Sequence, residues 1–260
     1  LLLAAQIAIQ SGKNESAIEH LVTAKTVGKK DTRARELLVS VYKSQKDYEA
    51  ALSELNGLIA MDRLAAQYAI EKAQILSQLR RYTEARDQLD IVFALWADDP
   101  ARLVALSQMQ FNANAPEAAE KSLKRAMEFS PKAPLPKLEY ARFLISTNQS
   151  DKAKTLIDEV AQSSGNSANV EMVRAQWLQA AGKFNDAMAH FIQSHQLDES
   201  FTAPLIQAYQ VARQGQARDA LIRYLESLTA EKTDTFYRHL LADLYYMDRS
   251  NTQAVSLYEA

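Results

Sequence analysis

Cysteine is absent, and glycine and proline are scarce, with six of each in 260 residues. No disulfide and no cysteine-ligated zinc can form. Average usage would place roughly 30 glycines and prolines in a chain of this length. A sandwich or barrel of short strands needs a turn about every ten residues, and so few punctuators cannot supply them. Collagen-like and low-complexity classes fall for the same reason. There is no excess of one charge: 30 Lys and Arg meet 32 Asp and Glu, for a net charge of −2. That excludes the basic face a nucleic-acid binder needs. The densest basic stretch, Lys25, Lys29, Lys30, Arg33 and Arg35, is interrupted by Asp31 and Glu36 and reads as a solvated surface. The apolar opening, Leu1 to Ile9, is broken by Gln6 and has no basic region before it. It is too short for a membrane span and wrong for a signal peptide. The first residue is not Met, so a processed or excised piece of a longer protein is expected. The 47% hydrophobic content is too high for a disordered chain.

A period dominates what is present. An alanine follows a short polar turn at Ala17, Ala51, Ala85, Ala119, Ala153, Ala187, Ala220 and Ala254, at spacings of 34 residues with a single 33. Four residues after each lies a large apolar side chain: Leu21, Leu55, Leu89, Leu123, Ile157, Phe191, Tyr224 and Tyr258. Twelve before lies a small one, Ala5, Ala73, Ser107, Ala141, Ala175, Ala208 or Ala242, with Val39 as the exception. Gly12, Gly182 and Gly215 stand five before their alanines. The i, i+4 spacing marks one helix face. Paired small residues let two antiparallel helices approach closely. Glycine in the turn supplies the left-handed conformation that ends the first helix. Asp99 and Pro100 read as an N-cap and first helical residue, and Pro134, Pro136 and Pro204 also sit near helix starts. The expected fold is all-α: a right-handed α-α superhelix, or solenoid, of about eight 34-residue helix-turn-helix repeats. Their expected bounds are 1–31, 32–65, 66–99, 100–133, 134–167, 168–200, 201–234 and 235–260. The solenoid is expected to be cut at both ends, because neither Leu1-Leu2-Leu3 nor Val255-Leu257-Tyr258 is a polar cap. Such ends could pair end to end in the fragment.

This column pattern resembles the tetratricopeptide repeat along the whole chain. The resemblance rests on KDYEAALSEL (46–55), RYTEARDQL (81–89), AAEKSLKRAMEFSP (118–131) and GKFNDAMAHF (182–191). Where that family carries Trp, this chain has Arg35, Ala69, Leu103, Lys137, Glu171, Pro204 and Arg238, and the terminal Pro occurs once, at Pro131. The segments AQWLQAAGKFNDAMAHF and LLADLYYMDRSNTQAVSLYEA are also similar in style to the long repeat lipoproteins of bacterial exosortase and exopolysaccharide systems. That likeness implies the cell envelope or periplasm rather than the cytoplasm, and a role in polysaccharide assembly or export.

No nucleophile elbow, phosphate loop or HExxH occurs. His190 and His195 are five apart and point from different helix faces, so a zinc site is not expected. The carboxylates are scattered at helical spacing, as in the pair Glu120 and Lys124. Neither catalysis nor a cofactor is expected. The resemblance implies instead that the first helix of each repeat lines a groove that binds an extended peptide of a partner protein. The inward columns fifteen, eleven, eight and seven before the alanines are mixed apolar and amide, with sparse charges at Lys43, Arg142 and Arg213. The candidates are Ser40, Gln74, Gln108, Phe111, Arg142, Gln176, Tyr209, Arg213 and Tyr246. The Lys and Asn clamp by which some family members grip a C-terminal carboxylate is missing. The glutamines suit a peptide backbone. They suit sugar hydroxyls nearly as well, with Phe111, Tyr209 and Tyr246 as stacking faces.

Overall fold

The computed structural model describes residues 1–29 and 31–259; Lys30 and Ala260 lie outside the described residues, as do the side chains of Asn251 and Glu259. Every regular element among the described residues is a helix. The first compact unit, Leu1–Pro131, contains α1 (Leu2–Gln10), α2 (Asn14–Val27), α3 (Arg33–Ser44), α4 (Tyr48–Met61), α5 (Ala66–Gln78), α6 (Tyr82–Trp96), α7 (Pro100–Asn112) and α8 (Pro116–Phe129). The second, Lys132–Ala260, contains α9 (Pro134–Ser146), α10 (Ser150–Ser164), α11 (Ala168–Ala180), α12 (Phe184–Leu197), α13 (Ala203–Arg213), α14 (Arg218–Glu231), α15 (Thr235–Met247) and α16 (Asn251–Glu259). Within each unit every helix packs on the next, the arrangement of a helical repeat solenoid. In the second unit the first helices also touch each other, α9 on α11 and α13 on α15.

The sequence columns become the spine of the packing. Ala17, Ala51, Ala85, Ala119, Ala153 and Ala187 are wholly buried, and the residues twelve before them, Ala5, Val39, Ala73, Ser107, Ala141 and Ala175, are buried too, as are Ala208 and Ala242 of the last two repeats. Each spine alanine is the fourth residue of its helix, so one turn of helix precedes it. Asp99 caps α7 by accepting from the Arg102 amide, and Pro100 follows as its first residue.

The seventh repeat departs from this register. There the fourth residue of α14 is Leu221, not Ala220. Leu221 and Leu225 are fully buried, whereas Ala220 and Tyr224 are only half-buried. The cause lies in the preceding turn. Other repeats join their helices through three residues, such as Ser11 to Lys13 or Leu79 to Arg81. Here four residues, Gln214 to Ala217, intervene, and Ala217 takes a left-handed conformation with φ 51°. Leu221 lies 34 residues after Ala187, the regular period, because the longer turn is offset by a shorter α13 of 11 residues; the 33-residue spacing to Ala220 falls one residue short of the spine position.

The turns also show why glycine recurs in only some of them. The middle residue is left-handed in each: Gly12, Gly182 and Gly215, but also Lys46, Arg80, Asn114, Asn148 and Arg249. The following amide reaches back five residues, as from Arg81 N to Leu76 O at 2.8 Å, closing the helix end. A side chain in this conformation costs about 1–2 kcal/mol, and asparagine tolerates it best. Arg80→Gly relieves that strain while losing roughly 0.5–1 kcal/mol to the entropy of the unfolded chain. The expected net gain is about 0.5–1 kcal/mol, read as a higher midpoint in urea. Arg80→Val, β-branched at the same φ, should lower the midpoint.

Two positions where the related family has Trp carry charge networks instead. Glu54 of α4, 7% exposed, accepts from Arg35 Nη1 at 2.6 Å and Lys25 Nζ at 2.5 Å. Gly57, one turn on, leaves room for that guanidinium, because a Cβ there would lie 2.5 Å from Arg35 Nη1. In the second unit the polarity is reversed. Glu171 of α11 is wholly buried between His190 Nδ1 at 2.5 Å and Arg174 Nη1 at 3.3 Å. Each buried carboxylate has its partners, as the cost of an unpaired buried charge demands.

Candidate groove on the first helices

The candidate residues follow the first helices: Ser40 on α3, Gln74 on α5, Gln108 and Phe111 on α7, Arg142 on α9, Gln176 on α11, Tyr209 and Arg213 on α13, and Tyr246 on α15. They form two groups, one in each unit.

In the first unit a pocket of about 240 Å³ opens beside Gln74. Ala73, Leu89 and Met109 supply its apolar surface; Gln74, Gln78 and Asn112 supply its amides. Gln108 donates to Asn112 Oδ1 at 3.1 Å and so connects to the same pocket. No charged side chain lines it. Lys43, the cation of that groove column, is engaged with Glu71 at 2.5 Å. Phe111 is 37% exposed at the end of α7. Ser40 is exposed on α3 and makes no hydrogen bond to the others among the described residues.

In the second unit Arg142 and Gln176 stand at equivalent places on the packed helices α9 and α11. Arg142 Nη1 reaches Glu139 at 3.5 Å, but its Nε is buried with no hydrogen-bond partner. Gln176 Oε1 is likewise buried and unpartnered. One is a donor and the other an acceptor. Further on, the Tyr209 hydroxyl donates to Asp243 Oδ2 at 2.9 Å, and Arg213 lies 5.8 Å from the Tyr209 ring centroid. Burial and the Asp243 carboxylate push the Tyr209 hydroxyl pKa up. Tyr258 also donates to Asp243, and the ring of Tyr246 is 67% exposed nearby.

Sequence reasoning missed Asn112 and Met109, and left Asp243 out of the candidates. Asp243 was visible as the residue one period after Tyr209, in the same inward column. In the column fifteen before the alanines, Leu138, Met172 and Leu205 are buried and do not line a groove, whereas His239 is exposed. Among the described residues no group of three His, Asp or Glu side chains could hold a metal, and no helix is long and apolar enough to cross a membrane.

The family comparison places this geometry. Residues 110–176 match the tetratricopeptide repeat. The match covers 67 of the 260 residues. The yeast Tom70 crystal structure is 17% identical, with a TM-score of 0.60 over 95% of this chain and 54% of that one, which supports the fold. PilF of Pseudomonas aeruginosa is 18% identical over 83% of this chain and 96% of its own, with a TM-score of 0.47. The pilus biogenesis factor PilW is 16% identical over 79% and 95%, with a TM-score of 0.48. These two are looser likenesses. No curated protein sequence matches the chain.

Proposed function

We propose that this tetratricopeptide-repeat chain is a non-catalytic scaffold that binds an extended segment of a partner protein along its first helices. The contacts are Ser40, Gln74, Gln108 and Phe111 in the first unit, and Arg142, Gln176, Tyr209, Arg213 and Tyr246 in the second. One observation carries the reading: the unpaired Arg142 Nε and Gln176 Oε1 on adjacent first helices. A buried polar atom without a partner is costly and calls for one. A peptide backbone offers an acceptor and a donor alternately along one edge, the complement of this pair. The uncharged, amide-rimmed pocket beside Gln74 suits the same kind of ligand, with room for an apolar side chain.

The test is selection of unstructured peptides from a random displayed library, followed by binding to Arg142→Ala/Gln176→Ala. Each lost hydrogen bond is worth about 1 kcal/mol, so affinity should fall roughly tenfold or more while helicity is unchanged. Unchanged affinity would refute the assignment. A second reading, polysaccharide binding in an envelope assembly or export system, is favoured by the 67% exposed ring of Tyr246, a free stacking face beside Asp243. Glycan binding lost in Tyr246→Ala, with no peptide enriched, would select it.

A further inference from the structure

His195 is the buried titratable group that the groove does not use. It sits in the last turn of α12, wholly buried. Both of its ring nitrogens meet a tyrosine hydroxyl. Nδ1 lies 2.8 Å from the Tyr224 hydroxyl on α14, and Nε2 lies 3.3 Å from the Tyr237 hydroxyl on α15. The two phenol rings stand edge-on to the imidazole, with centroids 5.9 and 5.6 Å away and interplanar angles of 78° and 84°. One side chain thus ties three helices of the second unit together.

We propose that His195 is an acid-sensitive latch that holds α14 and α15 against α12 at neutral pH and releases them when it is protonated.

The hydrogen-bond arithmetic supports a neutral ring. A neutral imidazole has one N–H and one lone pair, so one tyrosine accepts from it and the other donates to it. An imidazolium has two N–H groups, and the hydroxyl that donated must turn away. The new charge would also lie in a site closed to water. The groups facing the ring do not cancel that cost. Asp198 and Glu199, in the turn after α12, favour the charged form, but Glu199 is ion-paired with Lys232, which follows α14 and opposes it. Asp234, before α15, acts on Tyr237. Glu171 of α11 is engaged by His190 and Arg174. Burial prevails and holds the His195 pKa below its ordinary value. The Tyr224 hydroxyl is pushed up to about 12 and stays protonated throughout.

The sign follows. With the folded pKa depressed, the unfolded chain binds the proton more readily in the window below pH ~6.5, so stability rises with pH there. The contribution of His195 is complete above that value. It is lost as pH falls through the folded pKa. Helix α15, whose Tyr237 the ring holds, also carries Asp243 and Tyr246. Release would therefore loosen the groove side of the second unit in acid.

Hydrogen–deuterium exchange of the whole chain at about pH 7.5 and 5.5, corrected for intrinsic rates, reads this directly. In the wild type, peptides from α14 and α15 should exchange several-fold faster at the lower pH. Those from α3 to α6 should not change. His195→Gln, which keeps a donor and an acceptor without titrating, should remove the pH response. Equal protection of α14 and α15 at both values, or the same acid loss in His195→Gln, would overturn the latch. Should the Gln variant fail to fold, the wild-type imidazole resonance decides by NMR. A midpoint below the ordinary histidine value is expected, and one at or above it overturns the proposal.

Discussion

Ala119→Leu is expected to lower the unfolding midpoint by several degrees. Ala119 is wholly buried where α8 meets α7, opposite Ser107, which is 6% exposed. Added methylenes have nowhere to go, and overpacking of this kind costs about 1–3 kcal/mol, or roughly 2–4 °C for each kcal/mol in a chain of this size. Ala220→Leu should stay within about 1 kcal/mol of the wild type, because Ala220 is only half-buried in the slipped seventh repeat. Leu221→Ala, at the place the other repeats give to alanine, should cost about 2–5 kcal/mol, since Leu221 is fully buried. Thermal melts of the three variants decide the register. If Ala220→Leu proved as damaging as Ala119→Leu, the insertion at Ala217 would be wrong.

Phe191→Ala is expected to have the largest effect of any single truncation discussed, about 3–5 kcal/mol. Phe191 is wholly buried on α12, in a core with Met172 and Ala175 of α11 and Leu205 and Ala208 of α13. That core shares no residue with the cluster around Leu55, Leu76 and Leu103 in the first unit. Repeat stability is close to a sum of nearest-neighbour terms. Loss of protection should therefore centre on α11 to α14 and leave α3 to α6 intact. Hydrogen exchange resolves the two regions, and a uniform loss across both would contradict separate cores.

The helix pairs were legible because close packing restricts side-chain size at fixed places. Ala17 to Ala187 had to be small, and Leu21 to Phe191 had to fill the space between repeats. That periodicity also located the helix starts, one turn before each alanine. The slip in the seventh repeat was hidden, since Ala220 stands beside the true spine residue Leu221 and its spacing from Ala187 is only one residue short of the period. The left-handed turn residues were legible at Gly12 and Gly182 but not at Lys46 or Arg80, where the fold imposes φ on side chains that do not advertise it. At the groove, the sequence could place Arg142 and Gln176 in one column. It could not show that each keeps an unpaired polar atom, because that depends on what lies beside it in space. His195 was a histidine without a motif. Its meaning comes from Tyr224 and Tyr237, 29 and 42 residues away.

The central claim is that the first helices, not the second, bear the partner segment. Photo-crosslinking of a selected peptide tests it most directly. A photoreactive residue is placed at Gln74 or Gln176 on first helices, or at the exposed Asp90 or Glu159 on second helices. The account predicts crosslinks from Gln74 or Gln176 and none from Asp90 or Glu159. Crosslinks confined to Asp90 or Glu159, or no enriched peptide at all, would contradict it.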